Sequence, residues 1–525
     1  AGGRAQSQMF WIDGASGQNM RLGIGQMDTD PPVELIDEIK VLSNNYSAEF
    51  GGSNGGVIIE TTKSGTNQFH GSALEYLRND LMDAPGFFAP IVNGEKSKPK
   101  LRYNLFGGTI GGPVIKNKTF FFFDYEGSRR RTGYTSTLTV PSLLQRAGDF
   151  SKTTTAAGAL IPIYDPSSTA ASGNTFVRQP FPGNVIPAAA QDPVALKLLG
   201  YFPLPNRAAD NATGANNFRG NGANTLTHDF WSIKGDHNFS SKDRITGRYM
   251  FNRDNTNILS VFPDPGAETA SFNVANQKSA LGDWIHTISP TTVNEFRVNI
   301  ARRVAHALSS GVGGDYPTKI GLKGVSNNAF PNVTTAGFTA LGSTNQERQQ
   351  YPIDQQQFVE NLSHVRGRHS LKGGFELRRS RNHEINLPTA SGSFGFATQP
   401  TGQPGNAATG NAMASLLLGF PSTFTAQQTD ELDRYSYYMA AFFQDDWTVS
   451  RSLTLNLGVR YDVQLIPQPP QPNTLTPLTT LYTSTINIDK NNFAPRLGVA
   501  WNMAKGTVLR AGYGMFYAKT TNSTY

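Results

Sequence analysis

Residues 453–463 read Leu-Thr-Leu-Asn-Leu-Gly-Val-Arg-Tyr-Asp-Val, apolar at every odd position and polar or Gly at every even one. Successive side chains of a strand point to opposite faces, so this segment has one oily side and one wet side. Its length matches the roughly 9–11 residues with which a tilted strand crosses a bilayer. The pattern recurs at 493–503, where Phe493, Leu497, Val499, Trp501 and Met503 share a face, and at 507–517, with Leu509, Ala511, Tyr513, Met515 and Tyr517. The connections alternate in length. Ala504-Lys505-Gly506 and residues 449–452 are tight turns, whereas 464–492 is a long polar loop.

Towards the N-terminus the same unit repeats. Segments 434–448, 370–382, 354–365, 293–304, 277–288, 244–254, 230–238, 118–127, 101–111 and 69–78 bring the total to about 13 strands. Long loops are expected at 79–100, 128–229, 255–276, 305–353, 383–433 and 464–492, all emerging at one end. Sorted short turns and long loops mark outer-membrane barrels, with the turns periplasmic and the loops extracellular. Soluble sandwiches have shorter strands and less regularly sorted loops. Aromatics near strand ends (Tyr435, Tyr437, Tyr438, Trp447, Trp501, Tyr517) suit interfacial girdles. The fold class expected is mostly β: an antiparallel transmembrane β-barrel, incomplete at about 13 strands, after a small α+β segment.

Arg102, Arg244, Arg248, Arg297, Arg460, Arg496 and Arg510 fall on the polar face of their strands. A lipid-facing Arg costs about 2–4 kcal/mol near the midplane, so the reading turns all seven inward and makes the interior basic.

Composition excludes other classes. The 525 residues include no Cys, which rules out disulfide frameworks and Cys-ligated metal sites. Aromatics at 11% argue against wholesale disorder, and no apolar run reaches the length of a membrane helix. The net charge of +7 is spread along the chain rather than gathered on one element, so no nucleic-acid partner is expected. Asp445 and Asp446 are adjacent on a strand and face opposite ways, which defeats a paired-carboxylate mechanism. His364, His369 and His383 sit in turns and loops, where solvated histidine is the ordinary state. Neither an enzyme, a cofactor nor a metal site is expected.

Residues 1–68 differ. Asp28, Asp30, Glu34, Asp37, Glu38 and Glu49 face a single Lys40 across 28–50. The expected local structure is helix-like at 32–38, then strands near 38–43 and at 56–63. The Gly-rich turn at 51–56 precedes a strand and lacks a following Gly-Lys-Ser/Thr, so it is no phosphate loop.

Ile36-Asp-Glu-Ile-Lys-Val-Leu42, Glu49-Phe-Gly-Gly52, Gly55-Gly-Val57 and Thr62-Lys-Ser-Gly-Thr-Asn67 together resemble the end of the plug domain of TonB-dependent outer-membrane receptors. Phe69 to Asp80, Phe106 to Pro113, Lys118 to Glu126, Gly367 to Glu376, Phe443 to Trp447 and Asn492 to Gly498 resemble the barrel of their Oar-like branch. The resemblance implies a late plug segment at 1–68 and the first part of a barrel at 69–525. It also implies outer-membrane location, lipid contact, energy from the inner-membrane TonB complex through a region outside this chain, and active uptake of an extracellular ligand. Ser43-Asn44-Asn45 stands where many siderophore receptors carry Arg-Gly-Pro, so no siderophore is implied. An odd strand number, with polar residues after Lys519, reads as an internal fragment.

Two site expectations follow. Glu34, Asp37, Glu38 or Glu49 of the plug segment should meet inward arginines, whose alternative role is to draw anionic ligands inward. Tyr164, Phe176, Phe181, Tyr201, Phe202 and Phe218 should form the ligand-facing surface of the longest loop. Two alternatives stand beside transport: a passive porin or adhesin-type barrel, which a lumen empty of residues 1–68 would favour, and a soluble polysaccharide-binding β-protein.

Overall fold

In the computed structural model the described residues are 8–17, 31–43, 45–89, 91–92, 95–96, 98–269, 271–427, 431–467, 487–504 and 506–519. Asp28, Asp30, Asn44, Lys505, the middle of the 464–492 loop and the residues after Lys519 lie outside them.

A four-stranded sheet comes first. It comprises β1 (Met9–Ile12), β2 (Ala15–Ser16), β3 (Ile36–Leu42) and β4 (Val57–Thr62), in the order β2-β1-β4-β3. The helix expected at 32–38 is a 3-10 turn at Val33–Leu35 running straight into β3. Antiparallel pairing of β3 with β4 claims the backbone groups a helix would have used internally.

Thirteen strands then form one antiparallel sheet in chain order. They are β5 (His70–Asn79), β6 (Leu101–Ile115), β7 (Thr119–Leu138), β8 (Phe218–Asn238), β9 (Asp243–Leu259), β10 (Ser271–Ser289) and β11 (Thr292–Ser309), followed by β12 (Glu347–Arg366), β13 (His369–Leu387), β14 (Glu431–Thr448), β15 (Leu453–Leu465), β16 (Asn492–Ala504) and β17 (Thr507–Gly514). The outermost strands, β5 and β17, are not paired with each other.

Every expected strand is present, but many run further at the long-loop end. β7 and β8 continue through 128–138 and 218–229, which the sequence reading assigned to loop. At about 3.3 Å per residue the 20 residues of β7 span about 65 Å, or about 50 Å of height at a tilt of about 40°, against a hydrocarbon thickness of about 30 Å, so the hairpin extends beyond the membrane. β17 ends early, at Gly514, and residues 515–519 bend inward until Ala518 bridges Gly52.

The sheet is inverted relative to a soluble protein. Along β13, Glu376, Arg378, Ser380 and Asn382 are buried while Phe375 is 46% exposed. Along β15, Arg460 and Asp462 are buried between exposed Leu457 and Val459 and half-buried Tyr461. The buried polar side faces the N-terminal unit, and the exposed apolar side is the face for lipid.

The long loops are folded. Segments within 139–217, 310–346 and 388–427 share one apolar core, including Phe150, Ile163, Leu198, Phe330, Met413 and Leu416. Backbone hydrogen bonds cross between them, among them Asp192 N to Leu417 O at 2.7 Å and Tyr164 N to Thr401 O at 2.8 Å. The Arg178 guanidinium donates to the carbonyls of Gln399, Pro400 and Gly402 at 2.7–2.9 Å. The result is a cap over the long-loop end.

Candidate functional site: the seat of the N-terminal unit

Inward side chains of the wall hold the described residues of the N-terminal unit chiefly at two places. The first is a turn. Asp13 and Gly14 link β1 to β2, and Gly14 takes φ +74°, a left-handed conformation that suits Gly. The Asp13 carboxylate receives Arg248 Nη1 at 2.6 Å and Lys234 Nζ at 3.4 Å. Thr62 donates to the same carboxylate through its amide at 2.8 Å and its hydroxyl at 2.7 Å. Burial alone would raise the Asp13 pKa, but Arg248, Lys234 and Thr62 outweigh it and hold the carboxyl below its ordinary value. Arg297 donates to the Gly14 carbonyl at 3.1 Å, packed so closely that a Cβ on Gly14 would lie 2.1 Å from its guanidinium. Beneath these polar contacts, Ile12 and Leu35 pack with Phe122, Phe230 and Met250 of the wall.

The second place is the segment 45–51. Arg460 Nη1 donates to the carbonyls of Ala48 at 3.2 Å and Glu49 at 2.8 Å. Arg496 Nη1 donates to the carbonyls of Tyr46, at 2.9 Å, and Ser47. Gln444 Oε1 accepts from the Ser47 hydroxyl and the Ala48 amide, both at 2.8 Å. The Arg496 guanidinium also lies over the Tyr46 and Phe516 rings, 4.8 and 4.3 Å from their centroids. Gly51 is required here, since a Cβ would lie 2.1 Å from Arg460 Nε.

Between the two places sits a buried ion cluster. Glu376 pairs with Arg378 and, at 3.1 Å, with Arg460. Arg460 also pairs with Asp462 at 2.8 Å, and the Tyr438 hydroxyl donates to Asp462 at 2.6 Å. Arg378 reaches the Ser16 hydroxyl at 3.2 Å and stacks over Trp11.

The sequence-derived site residues are placed as follows. Arg248, Arg297, Arg460 and Arg496 meet the N-terminal unit, mostly through its carbonyls. Arg244 pairs with Asp236 of the wall at 2.7 Å, and Arg510 is exposed. Arg102 does not face inward. It is exposed and lies opposite Arg131, on the face of outward Phe106 rather than that of Thr109, which meets inward Ser72. Aromatic and apolar residues of both parities at 101–106 had hidden the register. Among the acids, Glu49 pairs with Lys372 at 2.6 Å, Glu38 with its neighbour Lys40, and Glu34 with Lys63 at 4.0 Å and Ser72 at 3.2 Å, while Asp37 is exposed. The acid that meets an inward arginine is Asp13, outside the acidic run. Glu376 and Arg378 were also missed. Their signal was the parity set by Phe375 and Leu377, obscured by the run Arg378-Arg379-Ser380-Arg381.

Of the loop aromatics, Phe181, Phe202 and Phe218 are buried in the cap core and Tyr201 packs against it, so these four hold the loop together instead of facing outward. Tyr164 is half-buried and Phe176 is exposed. The three histidines are far apart in role: His364 bonds Thr292, His369 pairs with Asp445 and stacks on Trp447, and His383 pairs with Glu431.

The chain is similar to known proteins in sequence and in fold. The family described as outer membrane beta barrel domain matches residues 61–525. The TonB-dependent transporter Oar of Myxococcus xanthus is 31% identical over 137 residues, 25% of this chain and 12% of that protein. Among solved structures, the outer membrane transporter YddB from Escherichia coli aligns over 99% of this chain and 55% of its own, with a TM-score of 0.55 at 13% identity. The siderophore receptor PirA from Acinetobacter baumannii aligns over 99% and 54%, with a TM-score of 0.49 at 13% identity. The chain thus spans about half the length of these solved proteins.

Proposed function

The chain belongs to the outer membrane beta barrel domain family and lies in the bacterial outer membrane; from that premise we propose that it serves TonB-dependent active uptake of an extracellular ligand through a plugged barrel. In this reading residues 1–68 are the later part of the plug and 69–525 the N-terminal portion of the barrel. The TonB complex acts through a region outside this chain, and the work is transport rather than catalysis.

The observation that carries the reading is the chemistry of the seat. Residues 8–17, 31–43 and 45–62 rest on the inner face largely through guanidinium-to-carbonyl and carboxylate contacts, with small apolar contacts at Ile12 and Leu35 and between Tyr46 and Phe516. Each polar contact can exchange for water when the unit shifts, whereas a wholly apolar interface would have to expose oily surface. A passive porin has no use for such a seat, and a soluble protein has no use for exposed Phe375, Phe443, Leu497 and Trp501.

The test is growth of a deletion strain complemented with the intact gene, on peptide, glycan or metal chelate as the limiting nutrient, with tonB present or deleted. Uptake of one nutrient that needs both genes is expected. Uptake that persists without tonB would sink the reading in favour of passive passage.

A further inference from the structure

The outward face carries a band of positive charge that transport through the interior leaves unused. Lys278 alternates with buried Gln277 and Ser279, Arg302 shares a face with exposed Ile300, and Arg379 and Arg381 alternate with buried Arg378, Ser380 and Asn382. All four therefore point away from the N-terminal unit.

The register aligns them across adjacent strands. Lys278 is opposite Arg302, Arg302 opposite Asp354, and Asp354 opposite Arg381. Arg302 holds Asp354 through two bonds, 2.7 and 3.1 Å, and Arg381 holds Asp433 through bonds of 2.9 and 2.7 Å. The guanidiniums of Arg379 and Arg381 lie 5.2 and 5.5 Å from the Tyr435 ring centroid. Four cations thus share two carboxylates, and Lys278 has no carboxylate partner among the described residues. Like charges directly opposite on neighbouring strands repel, and the same arrangement recurs where Arg102 faces Arg131.

Height decides what can neutralise them. Arg302 lies ten residues from the start of β11 at Thr292, and Arg381 twelve from the start of β13 at His369. At about 3.3 Å per residue and a tilt of about 40°, both stand roughly 25–30 Å above the short turns, where hydrocarbon gives way to headgroups. The outward residues below them are mostly apolar, with Phe296, Val298 and Ile300 on β11, Phe358 and Leu362 on β12, and Phe375 and Leu377 on β13; Glu360 of β12 is the acidic residue among them and accepts from Asn294 at 2.6 Å. Tyr435 and Tyr437 mark the same boundary.

We propose that Lys278, Arg302, Arg379 and Arg381 form a binding site for the phosphate-bearing headgroup of an outer-leaflet lipid. Arg302 and Arg381 each give Nε and Nη2 to a carboxylate, which fixes the guanidinium plane and leaves the Nη1 edge to donate to a phosphate beside the Lys278 ammonium, and a lipid supplies that anion at this height with its chains along the apolar residues below.

The test is native mass spectrometry of the intact protein in detergent, titrated with diphosphoryl lipid A, with its dephosphorylated form, and with inorganic phosphate. The wild type is expected to bind the diphosphoryl form, and K278Q/R302Q to bind it about tenfold or more weakly. D354N leaves the folded wall in place and unmasks positive charge, so it is expected to bind more tightly than wild type. R207Q, on the cap, is expected to match wild type. Equal binding of the dephosphorylated lipid, no change in either band variant, or displacement of the lipid by equimolar inorganic phosphate would each overturn the proposal.

Discussion

At the residue scale, the most consequential side chain in the seat is Asp13. Replacing it with Asn leaves Arg248 and Lys234 buried without a counter-charge, and breaking a buried pair in this way costs about 3–5 kcal/mol. Amide exchange of residues 57–62 should lose protection accordingly in D13N, while exchange in β14 and β15 stays as in wild type. The pH dependence has a definite sign. The folded Asp13 carboxyl titrates below its ordinary value, so its contribution is complete above the ordinary carboxylate range and is lost as pH falls through the depressed value. D13N should therefore show a flatter acid limb than wild type in the same exchange experiment. Gly14→Ala tests the seat independently, because it meets both a left-handed φ and the Arg297 guanidinium. The expected result is faster proteolysis within residues 8–62 with the barrel wall still folded, and a wild-type cleavage pattern would contradict the close fit. Neither Asp13 nor Gly14 was legible beforehand. The acidic run 28–50 drew attention by composition, whereas Asp13 earns its partners only once β1 lies parallel to β4 and brings Thr62 beside it.

At the element scale, the period of two located all thirteen strands, because lipid on one side and a polar interior on the other impose a contrast that alternation records. The contrast disappears where water bathes both sides. Residues 129–137 and 219–229 are mostly polar on both faces, so alternation does not mark the outer ends of β7 and β8. The same physics gives a paired prediction on β15. Leu457→Arg puts a charge into hydrocarbon and should destabilise the reconstituted barrel by about 2–4 kcal/mol in urea titration. Asn456→Arg, one residue earlier, points inward next to Asp446, which Asn456 now reaches at 2.7 Å, and should cost no more than about 1 kcal/mol. Comparable losses in both variants would mean that the two faces of β15 are not the lipid and interior faces described above.

At the scale of the whole molecule, the structure joins two bodies with opposite solvent logic. The wall buries polar groups and exposes apolar ones, while the cap buries Phe150, Phe330, Met413 and Leu416 as a soluble domain would. Nothing local announces the cap. Its segments are separated in sequence by membrane hairpins, and its core forms only because those hairpins bring the long loops to one end. That is why buried Phe181, Phe202 and Phe218 read as a surface in the sequence. A shared core makes the loops interdependent. Phe330 is fully buried and stands edge-on to Tyr201 and Tyr316, with ring centroids 4.9 and 5.0 Å away. Phe330→Ala removes the ring that joins loop 310–346 to loop 139–217, at a cost of about 3–5 kcal/mol to the cap. Limited proteolysis of the variant should then open new sites in 139–217 and 388–427 as well as around residue 330. The wall's own hydrogen-bond ladder is untouched by the substitution, so its heat-dependent mobility shift on gels should stay as in wild type. Cleavage confined to 310–346 would mean that the loops fold separately and that the apolar contacts between them do not couple their stability.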